Sequence, residues 1–156
     1  INTELIEQKI HNNTRAILVN SPGNPFGNII TKQNFTDLIK LANKYDIILV
    51  IDEAYADFVY EKSSVNWKGL GILPKVVRIK SFSKTYRLPG ERIGYLIAEP
   101  SLAQEIGKTH WLLGMSPAIP SQIHVSQTIC NYDRKELGNL LNKLKNNRDI
   151  MIEKIN

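Results

Sequence analysis

The chain has 156 residues, of which 42% are hydrophobic and 22% are charged, so its composition is that of a packed domain and not of a disordered segment. Its net charge of +5 is spread along the sequence, and we expect no nucleic-acid partner. One cysteine, Cys130, excludes an internal disulfide and fits a reducing, cytoplasmic compartment. The sequence contains neither an apolar run long enough for a membrane span nor a signal-peptide pattern.

The first half of the chain predicts a strand, a helix and a second strand. The β-branched run Arg15–Asn20 predicts a strand that enters a loop rich in proline and glycine, Ser21–Gly27. Thr31 is a predicted N-cap, and apolar residues at helical spacing predict a helix over about 32–45. Five consecutive apolar residues, Ile47–Ile51, predict a strand covered on both faces, as in a parallel sheet. Strand, helix and strand form a βαβ unit, and the connection between its two parallel strands should be right-handed.

The second half predicts two more strands and then helices. Val76–Lys80 predicts the third strand, and Ile93–Ala98 predicts a fourth that follows without a helix and should run antiparallel. We expect a helical turn near Trp67. The remaining predictions are helices from Pro100 to about His110, from Ser121 to Asn131 and from Asp133 onward, with a loop at Met115–Pro120. The pattern predicts a three-layer α/β/α fold whose sheet is mostly parallel with one antiparallel strand.

Polar side chains follow three of these strands. Asn24 lies in the loop after the first strand, Asp52 and Tyr55 come directly after the second, and Ser81–Lys84 leaves the third. Ligands of open α/β sheets bind at the carboxyl ends of the strands. A further cation, Arg92, follows a Leu-Pro-Gly turn. We expect these residues and Arg92 to form one site.

An amine, a carboxylate, hydroxyl donors and a guanidinium suit a cofactor with an aldehyde, a ring nitrogen and a phosphate, and pyridoxal 5'-phosphate is such a cofactor. Lys84 would form a Schiff base with the aldehyde and later move protons at the substrate α-carbon. Asp52 would keep the pyridine nitrogen protonated. Tyr55 and Asn24 would donate hydrogen bonds to the ring 3-oxygen.

The phosphate of this cofactor would be held by three further residues. Arg92 would pair with it as a bidentate fork, which a lysine could not reproduce. Ser81 and Ser83 would add hydroxyl donors. We predict no metal site.

Three motifs resemble those of the pyridoxal-phosphate-dependent class I/II aminotransferases, which share the aspartate aminotransferase-like fold. They are S-P-x-N-P-x-G at Ser21–Gly27, D-E-A-Y at Asp52–Tyr55, and S-F-S-K at Ser81–Lys84 with a following R-I-G-Y. The resemblance runs from about Asn20 to about Gln122 and is greatest to the branch with histidinol-phosphate aminotransferase and threonine-phosphate decarboxylase. It implies the roles given above for Asn24, Asp52, Tyr55, Ser81, Lys84 and Arg92.

The resemblance also implies what lies outside this sequence, and it leaves Ser83 at a more variable position. Family members place a phosphate-capping loop and a ring-stacking aromatic earlier, and an arginine for the substrate carboxylate in a C-terminal small domain. We therefore interpret residues 1–131 as the later half of a cofactor-binding large domain and 132–156 as a long helix leading toward a small domain. The family implies a homodimer, toward whose second subunit the loop Gly114–Ser121 would reach. Alone, the chain should not turn over substrate.

Other functions are compatible with parts of this pattern. Within the family, decarboxylation and elimination share their first steps with transfer of an amino group between an amino acid and a 2-oxo acid, the reaction we favour. The run I-L-V-I-D-E-A-Y also resembles the acidic strand of a P-loop ATPase, but the required G-x-x-x-x-G-K-[S/T] does not occur in the sequence. A catalytically inactive interaction domain is a further alternative.

Overall fold

The computed structural model describes residues 1–60, 65 and 69–155. The turn expected near Trp67 lies outside the described residues. In chain order the elements are α1 (Thr3–Glu7), β1 (Ala16–Asn20), α2 (Lys32–Lys44), β2 (Ile48–Asp52), β3 (Val76–Ser81), a short 3-10 helix (Pro89–Glu91), β4 (Gly94–Ile97), α3 (Pro100–Gly114), α4 (Ile119–Cys130) and α5 (Arg134–Ile155).

The four strands form one sheet in the order β1-β2-β3-β4. Strands β1, β2 and β3 are parallel, and β4 pairs with β3 in the antiparallel direction. The predicted α/β fold class, with a mostly parallel sheet and one antiparallel strand, is confirmed. The pairing places Asn20 opposite Asp52 and Ser81 opposite Gly94, so the ends of neighbouring strands lie side by side.

Helix α2 supplies the main cover of the sheet. It begins with a capping box, because the Thr31 hydroxyl accepts the Asn34 N–H at 3.1 Å while the Asn34 side chain accepts the Thr31 N–H at 3.3 Å. The apolar side chains of α2 then recur on one face and pack on the sheet. The buried core contains Val19, Ile30, Phe35, Leu38, Ala42, Ile47, Leu49, Ile51, Val65 and Val76.

The two faces of β2 are covered unequally. Leu49 and Ile51 are fully buried on the face that joins the α2 core, whereas Ile48 and Val50 on the other face are half-buried. On the same side of the sheet as Val50, Leu18 of β1 is 70% exposed. The prediction of a strand fully covered on both faces is therefore wrong for the described part of the chain, where α2 covers one face of the sheet.

Helices α3 and α4 are longer than the sequence pattern predicts. Helix α3 continues past His110 to Gly114, and α4 begins at Ile119, so the connecting loop shortens to four residues. Pro120 lies in the first turn of α4 and not in the loop, because the first turn of a helix does not use the N–H that proline lacks. Within the described residues, no helix is both long enough and apolar enough to cross a membrane.

Candidate active site

The loops after β1, β2 and β3 leave the same edge of the sheet. Asn20 ends β1 and pairs with Asp52 at the end of β2. The next residue, Glu53, donates its N–H to the Ile79 carbonyl of β3 at 2.8 Å. The predicted residues after β2 therefore start between the two other loops, as the parallel order requires.

Asn24 and Tyr55 are brought together across the first two loops. The Asn24 side-chain amide donates to the Tyr55 hydroxyl at 3.4 Å. Asn20 positions this loop, because its Oδ1 accepts the Asn24 N–H at 2.7 Å and its Nδ2 donates to the Asp52 carbonyl at 3.4 Å. We did not single out Asn20 from the sequence, although an amide at the carboxyl end of a strand was a usable signal.

Asp52 is half-buried at the end of β2. Its Oδ1 accepts the Ala54 N–H at 2.9 Å, which makes a tight turn directly after the strand. This local hydrogen bond fixes the carboxylate at the edge of the sheet, one residue before the buried Glu53.

Lys84 is exposed, and its amine lies over the ring of Tyr55, with Nζ 5.4 Å from the ring centre. A cation at this distance is attracted to the face of the aromatic ring. Since Tyr55 also contacts Asn24, the phenol stands between the amide of the first loop and the amine of the third. The structure thus brings Asn24, Tyr55 and Lys84 together.

The three predicted phosphate ligands occupy adjacent turns. The Ser81 hydroxyl accepts the Ser83 N–H at 3.1 Å, and Phe82 donates its N–H to the Ile93 carbonyl at 3.2 Å. Arg92 therefore lies next to the turn that carries Lys84. Arg92 is exposed, has a left-handed backbone (φ 55°) and donates from Nη1 to the Pro89 carbonyl at 3.0 Å, so its guanidinium is engaged within its own turn.

A cavity of about 440 Å³ opens beside Asn24 and Tyr55. Of the predicted site residues that the structure describes, these two line it, whereas the side chains of the third loop do not. Arg148 of α5 also lines this cavity; its guanidinium lies 5.1 Å from the centre of the Tyr60 ring and pairs with Asp149 at 2.6 Å. No sequence signal distinguished Arg148 from the other cations of that helix.

A buried charged cluster lies beneath the site. Glu53 is 3% exposed and pairs with two cations of β3, Arg78 and Lys80. Arg78 donates from Nε to Glu53 Oε1 and from Nη2 to Oε2 at 3.0 Å, and Lys80 Nζ lies 2.8 Å from Oε2. The sequence signal was present, since two cations in an apolar strand need a buried partner, but we did not use it.

Glu91, which precedes Arg92, connects the third loop to helix α4. Hydrogen bonds with Ser121 and His124 hold the pKa of the Glu91 carboxyl below its ordinary value. The contact between His124 Nδ1 and Glu91 Oε1 measures 2.7 Å. The turn that carries Arg92 is therefore attached to a helix as well as to the sheet.

The sequence of this chain is similar to a known protein family and to individual proteins. The family described as "Aminotransferase class I and II" matches residues 1–156. A probable aspartate aminotransferase of Methanocaldococcus jannaschii is 34% identical over 106 residues, which cover 68% of this chain and 28% of that protein. An aspartate aminotransferase of Thermotoga maritima is also 34% identical, over 107 residues that cover 67% of this chain and 28% of that protein.

Solved structures show the same fold. The crystal structure of an aspartate aminotransferase from Thermotoga maritima superposes with a TM-score of 0.87 at 24% identity, covering 99% of this chain and 40% of that one. A Thermus thermophilus aspartate aminotransferase variant complexed with tryptophan gives 0.86 at 24% identity, covering 98% and 40%. The chain thus spans less than half the length of these relatives.

Proposed function

Because the chain belongs to the class I and II aminotransferases, we propose that it supplies the core of a pyridoxal 5'-phosphate site in an enzyme that transfers an amino group between an amino acid and a 2-oxo acid. The observation that carries this proposal is the contact of Tyr55 with both Asn24 and Lys84, directly after the strand that ends in Asp52. Family membership also removes the reason to consider a P-loop ATPase.

The chemistry of these side chains fits the cofactor. The exposed Lys84 amine can reach a small ligand at the sheet edge, and the half-buried Asp52 carboxylate suits a protonated ring nitrogen. The Tyr55 phenol and the Asn24 amide already share a hydrogen bond, so both can donate to one oxygen. When bound, the cofactor supplies an aldehyde that takes up the amino group and a ring that withdraws electrons from the substrate α-carbon.

Each residue then has a defined role. Lys84 would hold the cofactor through Nζ, by condensation with its aldehyde and loss of water, and would move protons to and from the substrate α-carbon. Asp52 holds the proton on the pyridine nitrogen. Tyr55 and Asn24 orient the ring through its 3-oxygen. Arg92, whose guanidinium donates to the Pro89 carbonyl, would hold the phosphate.

Ser81 and Ser83 would add hydroxyl donors to the phosphate site of Arg92, and Ser81 is the better supported of the two. The Ser81 oxygen accepts the Ser83 N–H, and its hydroxyl hydrogen would be available for a hydrogen bond to the phosphate. Ser83 lies two residues later and adds a second hydroxyl donor. The substrates are small molecules, an amino acid and a 2-oxo acid, and decarboxylation or elimination is the alternative outcome at the same site.

We also propose the larger setting of this chain. Residues 1–131 act as the later half of a cofactor-binding large domain, and 132–156 belong to a long helix that leads toward a small domain. The chain covers about 40% of the similar structures, and helix α5 occupies Arg134–Ile155 of the second segment. The full-length protein acts in the cytoplasm as a homodimer. Exposed apolar side chains at the end of α3 and the start of α4 support the dimer, namely Trp111, Leu112, Leu113, Met115 and Ile119.

Titration with pyridoxal phosphate, followed by visible absorption, tests the proposed function. We expect a saturable band in the unsubstituted protein, because Lys84 binds the cofactor covalently, and we expect Lys84→Ala to abolish it. Lys40→Ala is the control: the Lys40 side chain is 71% exposed on α2, far from the loops of the site in the sequence, and the band should be retained. Survival of the band in Lys84→Ala would show that another lysine reacts, and absence of the band in the unsubstituted protein would favour an inactive domain.

A further inference from the structure

Thr85, the residue after the proposed reactive lysine, is held by its side chain. It is 7% exposed, and its hydroxyl donates to Asp57 Oδ2 at 2.9 Å. Asp57 lies two residues after Tyr55, in the turn that follows β2. This hydrogen bond therefore connects the loop that carries Lys84 to the loop that carries Tyr55.

The backbone carbonyl of Thr85 makes a second hydrogen bond. The Tyr132 hydroxyl donates to the Thr85 carbonyl at 2.9 Å. Tyr132 lies between α4 and α5, and its ring centre is 4.7 Å from that of Tyr86. A tyrosine phenol is protonated at neutral pH and can donate this hydrogen bond, and burial raises the pKa of Tyr132 further above its ordinary value.

These contacts matter because Lys84 itself is exposed and has a flexible side chain. The amine of such a residue is directed by its backbone more than by side-chain packing. With the neighbouring Thr85 fixed at its hydroxyl and at its carbonyl, the Lys84 backbone has a defined place relative to Tyr55, over which its amine lies.

We propose that Asp57, Thr85 and Tyr132 are positioning residues, a lysine clamp that holds the Lys84 amine at the distance from Tyr55 that its reaction with the cofactor requires. The inference rests on the proposed function, since it assigns the clamp a purpose at that site. The three side chains act through Lys84 and need not touch the cofactor. A misplacement of about 1 Å at a reacting group can cost a factor of about 100 in rate.

Three substitutions separate positioning from general structural support. Thr85→Val keeps the shape of the side chain and removes its hydrogen bond to Asp57, whereas Thr85→Ser keeps the hydroxyl. Tyr132→Phe removes the phenol hydroxyl and keeps the ring that packs on Tyr86. Because Tyr132 is only partly buried, Tyr132→Phe should fold even if Thr85→Val does not.

The first measurement is the rate at which Lys84 becomes attached to pyridoxal phosphate, with the bond trapped by borohydride and the Lys84 peptide quantified by mass spectrometry. We expect this rate to fall about tenfold or more in Thr85→Val and severalfold in Tyr132→Phe. Thr85→Ser should stay within about twofold of the unsubstituted protein, since it restores the hydrogen bond.

The second measurement needs no cofactor. Amide hydrogen exchange over residues 84–87 should accelerate about tenfold in Thr85→Val and in Tyr132→Phe, while exchange in β2 stays unchanged, because the clamp holds the turn and not the sheet. Equal attachment rates and equal exchange in all three variants would overturn the clamp while leaving the proposed function intact. Failure of Lys84 to react in the unsubstituted protein would instead overturn the proposed function, and the purpose of the clamp with it.

Discussion

At the scale of single residues, the carboxylate of Glu53 is enclosed by opposite charge. Its side chain is fully buried, and those of Arg78 and Lys80 are 4% and 19% exposed. Removing one member of such a group leaves uncompensated charge away from water. Glu53, which follows the proposed pyridinium partner Asp52 in the sequence, is therefore expected to contribute to the stability of the fold.

Glu53→Gln should destabilise the fold by about 3–5 kcal/mol, because two cations would lose their buried partner. Urea denaturation followed by circular dichroism measures this change. Glu105→Gln is the matched control, since Glu105 pairs with Lys108 on the surface of α3 with both side chains at least 60% exposed, and it should have little effect. Equal denaturation midpoints for the two variants would contradict the importance of the buried cluster.

Residue types and order were enough to predict Asn24, Asp52, Tyr55 and Lys84 as candidates, because each lies at or after the end of a strand that the sequence pattern reveals. Residues that act by contact across the fold were not predictable in this way. In the sequence, Asn20 and Thr85 look like ordinary strand and turn residues, because their hydrogen-bond partners lie 32 and 28 positions away. Only the folded chain shows those distances.

At the scale of elements, the 3-10 helix and α4 are joined by a titratable contact. Glu91 forms hydrogen bonds with Ser121 and His124, and these lower its pKa from the ordinary value of 4.5. A carboxyl whose pKa is lower in the folded state stabilises that state above its ordinary pKa. The contribution is lost as the pH falls through the lowered folded value.

Glu91→Gln should therefore lower the melting temperature at pH 7, and the difference should diminish as the pH falls below the ordinary carboxyl pKa toward pH 3. Calorimetry at both pH values measures it. Glu153→Gln, an equal change of charge at the exposed end of α5, should show no comparable difference at pH 7. A difference for Glu91→Gln that persists unchanged at pH 3 would exclude the proposed carboxylate contact.

The helices show where pattern reading succeeds and where it fails. The N-cap at Thr31 and the apolar spacing behind it predict α2 to within a residue of its observed end. The end of α3 was predicted too early, because the apolar residues from Trp111 onward are exposed and carry no helical periodicity. The end of a helix can be predicted from a periodic stripe of buried apolar residues, and an exposed last turn has no such stripe.

At the scale of the whole molecule, the sheet explains both the success and the limits of the sequence argument. Alternation of strands and one helix fixed a parallel arrangement, and the missing helix before β4 indicated the antiparallel reversal that is observed. The degree of cover on each face was not predictable, because apolar runs such as Ile47–Ile51 do not reveal what packs against them. The exposed Leu18 marks the less covered face.

We propose that one lysine, Lys84, placed beside Tyr55 at the carboxyl edge of the sheet, is the attachment point of the cofactor. The direct measurement is borohydride reduction of the protein with one equivalent of pyridoxal phosphate, followed by peptide mapping of every lysine. The trapped group should reside on Lys84, and Lys80, whose amine pairs with the buried Glu53, should stay unmodified. A trapped group distributed over several exposed lysines, or concentrated on one other than Lys84, would contradict the account.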